Sequence, residues 1–177
     1  MQFRRTGLTA TALSGLAFLP AAASAQTLDV SITIPKMTAA EYHRPYVAIW
    51  LEKPGVAPRT IAVWYDYDLK GKEGEGTKWL RDMRQWWRTV GRTMSFPADG
   101  VTGATRAPGT HKLGLVGGRG AMPVLTPGNY TLVVEAAREV GGREAVRVPF
   151  VWNGSAAASG RAAGTGELGA VTLTIKR

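Results

Sequence analysis

Cysteine is absent from this 177-residue chain, and histidine occurs only twice. The first absence excludes disulfides, thiolate zinc sites, iron–sulfur clusters and haem attached through a Cys-x-x-Cys-His motif. The second leaves His43 and His111 little to work with: there is no Gly-x-Ser-x-Gly elbow, no His-Glu-x-x-His pair and no two histidines at metal spacing. His43, between Tyr42 and Arg44 at a strand entrance, reads as a structural or surface residue. His111 reads as an outer support for the loop before it. Acidic residues are few, 13 against 22 Lys and Arg. Asp66, Asp68, Glu73 and Glu75 gather near one turn, but their spacing is not that of a calcium loop. No metal site and no catalytic residue is expected. Beyond the N-terminus no run of about 18 apolar residues occurs, which speaks against stable membrane insertion.

What is present begins with an export signal. Arg4 and Arg5 precede the apolar run Leu8 to Leu19, and Ala23-Ser24-Ala25 forms a small-x-small cleavage site. Residues 1–25 are therefore expected to be cleaved, leaving Gln26 first and residues 26–177 as a single domain. Export of this kind points to a bacterial periplasm. Without the two signal arginines the chain keeps 20 basic and 13 acidic residues, a net charge of +7. Such a surface suits an acidic or phosphorylated partner. Export and the lack of any recognition motif speak against nucleic acid.

Most of the remaining sequence reads as short strands parted by turns. Leu28–Ile34 alternates apolar and polar residues, as a half-buried strand does. Pro45–Leu51 is apolar on both faces, suiting a central strand, and Thr60–Tyr65 follows across a Pro-Gly turn as its hairpin partner. Later strands are expected at 129–135, 144–151 and 168–175, with Pro149 marking an edge or a bulge. Residues 153–167 are small and polar and read as a flexible loop. One segment departs from this pattern. Trp79, Leu80, Met83, Trp86, Trp87 and Val90 recur at helical spacing, so an amphipathic helix is expected over 77–90, capped by Thr77 and stopped by Gly91. Its polar face carries Lys78, Arg81, Arg84 and Arg88. The whole predicts an all-β, immunoglobulin-like antiparallel β-sandwich with one inserted amphipathic helix.

Six tryptophans are many for such a chain. Trp50 and Trp64 fit strand positions in the core. Trp86 and Trp87 cannot both follow one line of the core. Either the helix packs across an open end of the sandwich, or one indole stacks on a planar ligand whose phosphate meets the nearby arginines.

The stretch Asp99-Gly-Val-Thr-Gly-Ala-Thr-Arg-Ala-Pro-Gly109 is turn-like, but it also carries the order Asp-x-x-Thr-Gly-Ala-Thr. That order resembles the acceptor motif on which periplasmic flavin transferases place FMN, through a phosphoester to the last threonine. A slim exposed loop and a weak hydroxyl nucleophile activated from outside suit such a reaction. The resemblance implies covalent FMN on Thr105, with Asp99, Thr102, Gly103 and Ala104 as recognition residues. Arg106 is then placed to offset the phosphate charge, and Trp86 and Trp87 are candidates to cradle the ring.

Arg44–Trp50, Lys78–Asp82 with Trp86-Trp87, Thr102–Arg106 with Pro108-Gly109, Pro127–Tyr130 through Glu135–Arg138, Gly141–Glu144 and Leu168–Val171 widen the resemblance. Together they make the chain similar to a bacterial family of predicted periplasmic proteins, domain of unknown function 2271. The resemblance implies a flavin transferase and a membrane redox protein as partners, and a role in carrying electrons to an extracytoplasmic acceptor. The alternative is a cofactor-free immunoglobulin-like binding module using exposed tryptophans on a carbohydrate or peptide.

Overall fold

The computed structural model describes residues 26–38, 41–69, 72–73, 75–154 and 156–176. The expected signal peptide lies outside the described residues.

The chain is built of β1 (Thr27–Ile34), β2 (Tyr46–Lys53), β3 (Val56–Trp64), β4 (Asp68–Leu69), β5 (Lys72–Glu73), β6 (Thr102–Gly103), β7 (Gly109–Val116), β8 (Gly128–Ala137), β9 (Arg143–Trp152), β10 (Ala158–Ala163) and β11 (Ala170–Lys176). Two sheets form the body, ordered β10-β11-β1-β7 and β6-β3-β2-β8-β9, and β4 and β5 make a separate small ribbon. Every pairing in the body is antiparallel except β3 with β6. This is the expected all-β sandwich.

Strand periodicity explains how the sheets meet. In β1 the side chains of Leu28, Val30, Ile32 and Ile34 are buried while the residues between them are not. They face Val47, Ile49 and Leu51 of β2 and Leu132 and Val134 of β8 in the inter-sheet core. The alternate residues of the same strands, Ala48, Trp50 and Val133, join a second cluster with Leu80, Met83 and Trp86 on the outer face of the five-stranded sheet. β2 is apolar on both faces because it has something to bury on both. Pro149 lies on β9, an edge strand, where a missing N–H costs no ladder bond.

The inserted segment differs from expectation. Instead of one helix over 77–90 there is a 3-10 helix at Glu75–Asp82, a short α1 at Arg84–Thr89, and a 3-10 turn at Gly91–Thr93. Met83 leaves helical geometry at φ −76°, ψ 71°. The reason lies across the sheet. The Glu135 carboxylate of β8, 1% exposed, accepts the backbone N–H of Gln85 at 3.0 Å and of Trp86 at 2.6 Å. It supplies the acceptor that a helix N-terminus needs and starts α1 there. Thr77 is no cap: it sits within the 3-10 helix with its hydroxyl buried and unpartnered.

Two long strands of the body went unread in the sequence, as did the two-residue β4, β5 and β6. β7 pairs with β1 along its length, and part of the 153–167 stretch is not a loop but β10, paired with β11. The small residues of β10 serve packing. A β-carbon on Gly160 would stand 2.8 Å from Val148 of β9, so only a slim strand fits where the two sheets close on each other.

Candidate functional site

The motif loop is fixed at its base by backbone bonds. Ala98 accepts from the N–H of Val101 at 3.1 Å and of Thr102 at 2.9 Å, and its own N–H donates to Thr102 Oγ1 at 2.8 Å. Exposed Asp99 and Gly100 form the tip, with Gly100 at φ +70° where glycine costs least. Thr102 and Gly103 then run parallel to Val63 and Trp64 at the end of β3, and the N–H of Tyr65 donates to Gly103 at 2.9 Å. A β-carbon on Gly103 would lie 3.1 Å from the Trp64 ring. Its slimness therefore serves contact with the sheet.

Beyond this anchor the loop turns outward. Ala104 is exposed and Thr105 half-buried. The Thr105 hydroxyl has no hydrogen-bond partner among the described residues. Arg106 faces another way, its guanidinium 5.3 Å from the Trp64 ring centre, beside the smaller hollow of Trp64 and His111. It is not among the residues that line the cavity of Thr105. His111 donates from Nε2 to the Ala107 carbonyl at 2.7 Å and meets the Trp64 ring edge-on. It thereby ties the end of the loop to β7 and Trp64.

Thr105 lines an open groove of about 910 Å³. Trp79, Asp82 and Arg84 of the helical segment form one part of the wall. Tyr42, His43, Arg44 and Tyr46 come from the approach to β2, and Arg138 to Arg143 from the β8–β9 turn. Arg84 and Arg44 are exposed, whereas Arg143 lies 3.6 Å from Glu135. His43 sits between Glu41 at 2.9 Å and Glu139 at 3.6 Å. Burial and the nearby Asp66 push the Tyr46 phenol up to about 12, so it stays a neutral hydroxyl.

Arg138 is the most enclosed cation of the groove, with its side chain 10% exposed. Glu167 holds it through Nε at 2.9 Å and Nη2 at 3.1 Å, and the Gly142 N–H completes the carboxylate at 2.7 Å. Its remaining nitrogen, Nη1, and the hydroxyl of Tyr42 are both buried without a partner. Burial raises the Tyr42 phenol, with Arg138 acting against it.

Trp86 and Trp87 do not reach the groove. Trp86 is fully buried, its indole N–H donating to Thr60 Oγ1 at 3.1 Å. Half-buried Trp87 packs against the same outer cluster, 6.1 Å from the Trp86 ring. Neither offers a face to a ligand in the groove. The exposed indole is Trp79, 42% accessible, on the groove wall. Tyr42, Arg44, Arg138 and Arg143 were not singled out in the sequence, because they flank strands whose pattern reports only packing. The pair of glycines at 141–142 signalled a turn and, with Arg143 and Glu144, part of the family resemblance, but no site.

No curated protein and no solved structure matches this chain at a significant level. One family profile does, described as "Predicted periplasmic protein (DUF2271)" and matching residues 27–170. That span covers the five-stranded sheet, the helical segment, the groove and the four-stranded sheet up to the first residue of β11. The chain belongs to this family of predicted periplasmic proteins.

Proposed function

We propose that the protein is a periplasmic electron carrier that holds FMN covalently on Thr105, exchanging electrons with a membrane redox protein and an extracytoplasmic acceptor. The observation that carries this reading is the position of Thr105, an unengaged hydroxyl on the wall of a groove that also presents an open indole and several cations. The residues fit the group. Thr105 offers the oxygen for a phosphoester: its proton passes to a base of the flavin transferase as the oxygen attacks the FMN-side phosphorus of a flavin adenine dinucleotide donor, whose pyrophosphate P–O bond breaks and releases AMP. Arg84 and Arg44 supply positive charge for a phosphate, and Trp79 a flat face for a tricyclic ring. Bound FMN would supply one- and two-electron transfer, chemistry that no side chain of a cysteine-free protein provides. The transferase meets a loop whose base is fixed to β3 while Ala104 and Thr105 project from it.

The test is production in a periplasm with a co-expressed flavin transferase, followed by intact mass and visible absorbance. The wild type should be yellow and heavier by one FMN, and Thr105→Ala colourless and unmodified. A Trp79→Ala protein should keep the added mass but show brighter flavin fluorescence, because a stacked indole quenches it. An unmodified wild type, beside a control substrate that the same transferase modifies, would turn the reading to a binding module. In that case the exposed Trp79 is the contact for a sugar or peptide.

A further inference from the structure

Two buried hydrogen-bonding atoms of groove-wall residues have no partner among the described residues: Arg138 Nη1 and the Tyr42 hydroxyl. Their side chains are neighbours, with the Arg138 guanidinium carbon 5.8 Å from the centre of the Tyr42 ring. Buried donors without partners are rare and costly, and native proteins keep them where a ligand or ion completes them. The arrangement is also rigid on one side. Glu167 fixes the guanidinium through two bonds and is itself held by the Gly142 N–H. A β-carbon on Gly141 would stand 2.5 Å from the Arg138 guanidinium carbon, so the turn backbone closes directly onto it. Nη1 is thus the one nitrogen of the fork left without a hydrogen-bond partner among the described residues.

We infer that Arg138 Nη1 and the Tyr42 hydroxyl form a binding site for a small free carboxylate, one oxygen to each donor. The charge balance selects the class. Arg138 is paired with Glu167 at 2.9 Å, whereas exposed Arg44 has no ion pair among the described residues, which leaves one positive charge for a monoanion. Glu139, the other acid on this part of the wall, is directed to His43. A doubly charged phosphate gains less from a site already holding a carboxylate, and a neutral carbonyl leaves the cation unanswered. A modest swing of the Tyr42 ring away from the guanidinium admits the ligand. The site would let the protein take a small organic acid beside Thr105, a role distinct from carrying electrons between proteins.

The inference does not depend on the flavin reading, and its experiment uses Thr105→Ala protein, which can bear no tethered group. Benzoate, acetate and inorganic phosphate are titrated by calorimetry, with the Arg138 side-chain N–H signals followed by NMR. Benzoate and acetate should bind saturably and shift the Arg138 signals, with phosphate at least tenfold weaker. Tyr42→Phe should weaken carboxylate binding roughly tenfold while its melting temperature holds or rises, since the lost hydroxyl has no partner. The inference fails if no carboxylate saturates, if phosphate binds as well as acetate, or if Tyr42→Phe binds unchanged.

Discussion

A β-carbon on Gly91 would come within 2.7 Å of the Trp86 ring, and this one contact explains a residue that the sequence explains differently. The glycine after a helical run reads as a stop signal, yet its backbone is not left-handed. What it provides is room for the indole that fills the outer cluster. Gly91→Ala should therefore destabilise the protein by about 1–3 kcal/mol, the cost of overpacking a closed site, as measured by chemical denaturation. A stop-signal role alone would cost a few tenths. The same lesson applies to Thr105 and Trp86. Sequence order picked out the threonine on the groove, but spacing cannot say which of three clustered tryptophans faces outward. Trp79 and Trp86 both sit at helical intervals, and only the position of the sheet decides that Trp86 is covered. Arg138 and Tyr42, 96 residues apart, carry no joint signal in the sequence at all.

Among the elements, most long strands with two distinct faces were legible, β7 being an exception, and β10, made of small residues, was not. β1 announces itself through Leu28, Val30, Ile32 and Ile34, whereas β10 has only Ala, Ser, Gly and one Arg161, a composition shared with linkers. The broken helix was hidden for another reason: a 3-10 turn and an α-turn give nearly the same apolar spacing over so short a stretch. The Glu135 carboxylate that starts α1 comes from a strand about 50 residues later. A second carboxylate organises the approach to β11. Glu144 accepts N–H bonds from Thr165 at 2.7 Å, Gly166 at 3.0 Å and Leu168 at 2.9 Å. Burial alone would raise this carboxyl, but those bonds outweigh it and hold it below its ordinary value. The stability it contributes is present above the ordinary carboxylate pKa and is lost as pH falls through the lowered one. Glu144→Gln should lose stability near pH 6 and little near pH 3, so its denaturation midpoint varies less with pH than that of the wild type.

For the whole molecule, the two clusters matter more than either sheet alone. The inter-sheet core and the outer cluster share the strands β2, β3 and β8 but no cluster residues. None of the described helices is long and apolar enough to cross a membrane; the apolar side of the helical segment packs on the five-stranded sheet. The class of fold was open to sequence reasoning because alternation and turns recur along the chain. The layering was visible only as a hint, in the doubly apolar run of β2.

That layering has a kinetic consequence. The five-stranded sheet acts as a party wall, so what lies outside it can come away while the sandwich stands. Amides of α1, such as Trp87 and Val90, should exchange with solvent through a partial opening of lower free energy. Those of β1 and β2 should wait for global unfolding. Native-state hydrogen exchange with added denaturant should resolve these two tiers, and a single shared opening energy would show that the wall does not separate them. Trp79 and Arg84 belong to the looser tier, while Thr105 hangs from β3 through Gly103. One wall of the groove can therefore breathe against the other, and the width of its mouth is a property of the outer layer alone.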